Sequence, residues 1–174
     1  MKKTNIKTIT LTAMFAALII VATIFIRMPI GINEGYIHVG DSMIYLAACL
    51  LGPYAAIAAV IGGAFADILA GAAAWALPTA IIKACNTIPF IVATAMYAKR
   101  KNHHKIIHLS TILMTLVSGL ITVFGYWLAE GIMYSFAAAF ASAPFNMIQA
   151  VGSAIVFILV GCALDAVKIQ KYLQ

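Results

Sequence analysis

The chain has 174 residues, of which 64% are apolar and only 9% charged, and its mean hydropathy is +1.05. A soluble domain carries about 25% charged residues to wet its surface, so lipid is the solvent that suits this exterior, and a soluble enzyme or nucleic-acid module is excluded. The net charge of +6 therefore bears on where the basic residues sit in a membrane rather than on a polyanionic partner.

The first apolar stretch, 6–26, follows Lys2, Lys3 and Lys7. At about 1.5 Å per residue it spans ~30 Å of hydrocarbon, longer than the apolar part of a signal peptide. No small-x-small cleavage site closes it before Arg27-Met28-Pro29, so the expectation is a retained first transmembrane helix. Within it, Ala13-x-x-x-Ala17 places two small residues one turn apart, a spacing that lets another helix approach closely in lipid. Internal packing is an equal reading of that pair, and Ala59/Gly63 and Ala66/Ala70 show similar spacing. Further apolar runs are expected as helices at about 41–51, 53–71, 78–98, 108–130 and 144–167. The punctuation between them is Gly52-Pro53, Gly71 with Pro78, the basic cluster from Lys99 to Lys105, and Gly131 to Pro144.

The segment 36–71 is too long for one span and short for two, and charge decides it. Cytoplasmic loops carry the excess of Lys and Arg. Lys2, Lys3 and Lys7 place the N-terminus inside, Lys99, Arg100, Lys101 and Lys105 place their loop there, and Lys168 with Lys171 does the same for the C-terminus. Even numbers of crossings must separate these clusters, so 36–71 crosses twice, turning at Gly52-Pro53, and 108–167 crosses twice more. The expected fold is an all-α integral membrane protein, a single domain over 1–174 with six transmembrane helices and both termini cytoplasmic. Only Arg27 and Lys83 stand outside the three basic clusters.

Ionisable and amide side chains within a bilayer usually face a bundle interior or an aqueous cavity. In this topology they gather toward the outer side: Asp67 near the end of the third helix, Lys83 and Asn86 early in the fourth, Tyr126, Trp127 and Glu130 late in the fifth, and Asn146 and Gln149 early in the sixth. Loop 1, with Asn33, Glu34, Tyr36, His38 and Asp41, lies on the same side. Three stripes at helical spacing join them: Thr79, Lys83 and Asn86; Ser142, Asn146, Gln149 and Ser153; and Thr111, Thr115, Ser118, Thr122 and Tyr126. Such stripes converge on one another or on water. Their economical reading is a cavity open to the outside, suited to a small polar ring compound.

Each residue also has a plainer role. Lys83 could snorkel to the outer headgroups, Asn146 and Gln149 could join helices, and Trp75 and Trp127 could be interfacial belt residues. His38 reads as a loop hydrogen-bonder rather than a metal ligand, since no second His or Cys stands at ligand spacing, and no metal site is expected. His103, His104 and His108 read as solvated or lipid-facing members of the basic loop. Cys49, Cys85 and Cys162 lie singly in apolar runs and read as small apolar filler.

Taken together the chain resembles the substrate-binding S components of energy-coupling factor (ECF) vitamin transporters. The likeness covers nearly the whole chain. It rests on the six-helix pattern, Ala13-x-x-x-Ala17, Gly35-Tyr36-Ile37-His38-Val39-Gly40-Asp41 leading to Leu50-Leu51-Gly52-Pro53, Ala66-Asp67-Ile68-Leu69-Ala70-Gly71, the Lys83 segment, and Pro144-Phe145-Asn146-Met147-Ile148-Gln149. The resemblance implies a transmembrane coupling subunit and two ABC-type ATPases as partners, with ATP and magnesium used there and no cofactor in this chain, which lacks a Gly-rich Lys-Ser/Thr phosphate loop. It also implies docking on the coupling subunit through Ala13 and Ala17, residence in a prokaryotic cell membrane, and capture outside followed by toppling and release inside. The implied substrate site draws on Tyr36, His38, Asp67, Trp75, Lys83, Asn86, Tyr126, Asn146 and Gln149, with no catalytic residue. The pattern is closest to the riboflavin-type group, including proteins assigned to hydroxymethylpyrimidine or pyridoxine; riboflavin, cobalamin and pantothenate are the alternative substrates. The rivals from other classes are a stand-alone secondary transporter or channel, and a polytopic membrane enzyme. The first would place ionisable groups near the midplane of both halves; the second lacks any HExxH, GxSxG or paired-acid motif.

Overall fold

Hydroxyl groups inside and large apolar side chains outside organise this bundle. On the fifth helix, α5 (Leu109–Met133), Thr111, Thr115, Ser118 and Thr122 are all buried, whereas Leu116 and Leu120 are 67% and 70% exposed. On the sixth, α6 (Phe136–Ala166), Ser142, Gln149 and Ser153 are buried while Val151, Ile155 and Leu159 face outward. A water-soluble bundle has the opposite polarity; a lipid-facing exterior accounts for this one. The computed structural model describes residues 6–29, 31, 33, 35–101 and 105–170. Of the residues discussed above, Lys2, Lys3, Glu34, His103, His104 and Lys171 lie outside the described residues, as does the side chain of Lys101.

The elements follow as α1 (Ile6–Phe25), a two-stranded antiparallel ribbon of β1 (Arg27–Pro29) and β2 (Tyr36–His38), α2 (Gly40–Leu51), α3 (Tyr54–Leu69), a 3-10 turn at Ala73–Trp75, α4 (Ala76–Lys101), α5 and α6. Helices α1, α4, α5 and α6 are long and apolar enough to cross a bilayer. With 12 and 16 residues, α2 and α3 rise only about 18 and 24 Å. Between them Gly52 takes φ +57, a left-handed conformation that favours glycine, and Pro53 opens the next helix.

Two boundaries differ from the sequence reading. The ribbon β1–β2 turns loop 1 into ordered structure folded over the bundle end, with Arg27 Nη1 donating to the Ala70 carbonyl at 3.2 Å, near the end of α3. Helix α6 begins at Phe136 rather than at Pro144, which lies inside it. The Ser135 hydroxyl caps α6 by accepting from Ala138 N at 3.2 Å, and the Ala-rich residues that follow carry the helix through the proline, as membrane helices tolerate.

Close packing uses the small residues. A Cβ on Gly62 would stand 2.8 Å from the Ile19 side chain and 3.0 Å from the Ala16 carbonyl of α1, and one on Gly63 would meet Thr79 and Lys83 of α4 at 3.1 Å. Midway along the bundle Tyr45 stacks on Phe90 at 4.4 Å between ring centroids, and Phe157 meets both edge-on. At the far end from the ribbon, the Asp165 carboxylate accepts from the backbone N–H groups of Ile106 and Ile107, both at 2.9 Å. His108 corrects the expectation of a solvated role. It is buried, stacks on Tyr97 at 4.0 Å, and caps α5 through reciprocal hydrogen bonds with Thr111. An N-terminal helix end buried among neighbours needs such a partner.

Candidate functional site: a cavity beneath the ribbon

The helix ends meet β2 around a cavity of about 530 Å³, counting its open mouth. Tyr36 and His38 enter it from β2, Asp67 from the last turn of α3, Trp75 from the 3-10 turn, Tyr126 and Glu130 from α5, and Phe145, Asn146 and Gln149 from α6. Convergence of the polar stripes is therefore geometric: α4, α5 and α6 each turn their hydroxyl and amide face toward the same axis.

The walls are fixed by hydrogen bonds between elements distant in sequence. The Tyr36 hydroxyl donates to Asp67 Oδ1 in a short contact. Trp75 Nε1 donates to the Asn33 carbonyl at 3.1 Å, and its ring lies 5.8 Å from Tyr126 and 6.0 Å from Tyr134. The Glu130 carboxylate accepts from Asn33 Nδ2 at 2.6 Å and, in a short contact, from the Ser142 hydroxyl. Tyr126 and Thr79 share a hydrogen bond at 3.1 Å. Burial and the Asp67 carboxylate push the Tyr36 phenol up, so it stays protonated and a donor. Burial, reinforced by the nearby Lys83 ammonium, lowers the His38 imidazole to about 4. His38 is then neutral, and because its Nδ1 accepts from Gly40 N at 3.0 Å, its proton is on Nε2.

Lys83 and Asn86 stand one layer behind this wall rather than among the residues lining it. The sequence reading placed both at the ligand. Lys83 is instead 2% exposed, with Nζ 2.6 Å from Asp41 Oδ1 and 5.0 Å from the Tyr126 ring centroid. Neither Nζ nor Oδ1 has another hydrogen-bond partner among the described residues. Burial this complete also rules out snorkelling for Lys83 in this conformation. Gln149 Nε2 donates to Asp41 Oδ2 at 3.2 Å, so one carboxylate at the start of α2 ties α4 to α6. Asn86 is fully buried and donates to Thr122 Oγ1 at 2.8 Å across the α4–α5 interface. Asp41 was visible in the sequence only as one polar residue of loop 1. The signal for its role was that an intramembrane lysine needs a counter-ion. Glu130, Ser142 and Phe145 also line the cavity and were not among the expected site residues.

A second concavity lies on the flank between α1 and α3. It is lined by Ala13, Ala17 and larger apolar residues including Ile57, Ile61 and Phe65. Ala16 lines the same groove from a buried position, whereas Ile19 faces inward.

Residues 3–166 match the family model described as ECF-type riboflavin transporter, S component. The chain belongs to this S-component family. It is thus a multi-pass membrane protein and a transport subunit rather than an enzyme, a substrate-binding subunit for vitamin uptake that associates with other ECF transporter components. This S component is also similar to an uncharacterized protein in a gap 3' region of Pyrococcus woesei, at 33% identity over 137 residues covering 78% of this chain and 86% of that protein.

Proposed function

We propose that this S component is the high-affinity capture subunit of an ATP-driven ECF transporter, with a hydroxymethylpyrimidine or pyridoxine-like vitamin as substrate. The observation that carries the reading is the position of the cavity beneath the ribbon. It lies at the bundle end opposite Lys99, Arg100, Lys105 and Lys168. Under the positive-inside rule that basic end is cytoplasmic, which leaves the cavity facing outward in a six-crossing chain with both termini inside, in a prokaryotic cell membrane. The short α2 and α3 each cross as part of the bundle.

Tyr36, His38, Asp67, Trp75, Tyr126, Asn146 and Gln149 contact the substrate in this reading. Trp75 and Tyr126 provide ring faces, and the remaining polar groups meet hydroxyls and ring nitrogens. Lys83 and Asn86 act through the wall, holding Asp41, Gln149 and Thr122 in place. The apolar groove with Ala13 and Ala17 docks the transmembrane coupling subunit. Two ABC-type ATPases bound to that subunit use ATP and magnesium, topple the loaded S component in the membrane and release the vitamin inside; this chain holds no cofactor. Riboflavin is the second reading, favoured by the family description.

The test is a thermal-shift panel of water-soluble vitamins on the purified chain without nucleotide. One vitamin should raise the unfolding temperature in a saturable way. A flat response across the panel would remove the capture role.

A further inference from the structure

A cation stands at the head of the apolar groove on the α1–α3 flank. Arg27 opens the ribbon just after α1 and is exposed, and its Nη1 donates to the Ala70 carbonyl at 3.2 Å, past the end of α3. The guanidinium also lies 5.7 Å from the Tyr36 ring centroid. Carboxylates among the described residues leave it no counter-ion. Asp41 is paired with Lys83, Asp67 holds Tyr36, Glu130 holds Asn33 and Ser142, and Asp165 is at the opposite end of the bundle. A guanidinium presents its N–H donors as a planar fork, and the bond to Ala70 leaves part of that fork for an anion.

The surroundings of Arg27 say which anion. Phe25, Ile26 and Met28 beside it are 81%, 59% and 68% exposed, and Leu69 at the neighbouring helix end is 64% exposed. A collar of this kind suits hydrocarbon rather than water. Helix α1 has 20 residues and rises ~30 Å, the thickness of the hydrocarbon core. Arg27 therefore emerges at the outer boundary of that core, where phospholipid phosphates lie. Directly below it Phe65, Ile61 and Ile20 line the groove, which continues to Ala17 and Ala13. From Ala70 down α3 to Ile61 the rise is ~14 Å at about 1.5 Å per residue, close to the ~15 Å of hydrocarbon in one leaflet.

We infer that this flank binds one phospholipid of the outer leaflet, with its phosphate on the Arg27 guanidinium and one acyl chain running down α3 into the groove. The choice of leaflet rests on the orientation in the capture reading; the match of a cationic head to an apolar groove does not. The lipid fills the groove of the isolated chain, and docking of the coupling subunit exchanges the acyl chain for apolar side chains. Such an exchange involves no net hydrophobic driving force, because lipid tails are as apolar as leucine, so the grip of Arg27 on the phosphate sets how firmly the lipid competes.

The experiment titrates the purified full chain in detergent with dioleoyl phosphatidylglycerol, with dioleoylglycerol, which has the same chains and no phosphate, and with glycerophosphoglycerol, which has the headgroup and no chains. Native mass spectrometry reads the adducts. The wild-type chain should retain one phosphatidylglycerol, bound at least tenfold more tightly than dioleoylglycerol, and no glycerophosphoglycerol, a comparison that needs no variant. Arg27→Gln should lower phosphatidylglycerol to the level of dioleoylglycerol, Arg27→Lys should keep part of the preference, and Ala17→Trp should weaken both lipids by filling the groove. Equal binding of the two lipids by the wild-type chain, an unchanged preference in Arg27→Gln, unchanged lipid binding in Ala17→Trp, or no adduct at all would each overturn the inference. The vitamin panel reads the cavity and not this flank, so a failure of capture and a failure of lipid binding are told apart.

Discussion

Replacing Lys83 by Met isolates the ion pair behind the cavity. At 2.6 Å and an effective dielectric constant of about 20, the attraction between the two charges is about 6 kcal/mol, and the desolvation of two buried ions offsets much of it. Removing one partner is a different matter, because Asp41 is completely buried and its carboxylate would keep only the hydrogen bond from Gln149. Uncompensated buried charges of this kind cost about 3–5 kcal/mol. Lys83→Met and Asp41→Asn are each expected to lower the unfolding free energy by roughly that amount. The double variant should lose less than either single one, since the amide oxygen introduced by Asp41→Asn would still accept from Gln149 and the Met side chain would fill the space of the lysine stem. Denaturant unfolding in detergent micelles, followed by tryptophan fluorescence, measures all four proteins in one thermodynamic cycle. Losses that simply add in the double variant would refute the reasoning, because they would mean that the two charges do not depend on each other.

Two other outcomes are expected. Ala13→Trp and Ala17→Trp should leave vitamin binding by the isolated chain unchanged and abolish uptake in cells that contain the ATPase module; unchanged uptake would remove the α1–α3 groove from docking. His38 should make stability acid-sensitive: it is held at about 4 in the fold against 6.5 ordinarily. Between those values the unfolded chain binds the extra proton, so stability falls as pH drops from about 6.5 toward 4. His38→Asn, which keeps an acceptor for Gly40 N without titrating, should show a smaller fall in unfolding temperature between pH 7 and pH 5, and an equal fall would exclude His38 as the cause.

Much of this architecture was legible because polarity in lipid is inverted. In a chain with so few polar side chains, Thr111, Thr115, Ser118 and Thr122 at helical spacing could only mark the inward face of α5, and all four are buried. Gly52-Pro53 likewise marked the α2–α3 turn through local backbone chemistry. The start of α6 was misread because Pro144 was given the weight it has in water, where it breaks helices, rather than its weaker force within a membrane helix. Pairings between distant residues were the least legible. Periodicity puts Lys83 on an inward face but does not say that Asp41, at the start of another helix, will meet it, nor that Tyr36 of the ribbon will meet Asp67. His108 was misjudged for a similar reason: its basic surroundings in sequence hid the burial of the helix end it caps.

Native mass spectrometry of the purified chain tests the central claim most directly. The account predicts one vitamin bound per chain with no nucleotide present and none of the ATPase subunits added. A chain that binds no vitamin, or that binds one only when the ATPases and ATP are supplied, would contradict it.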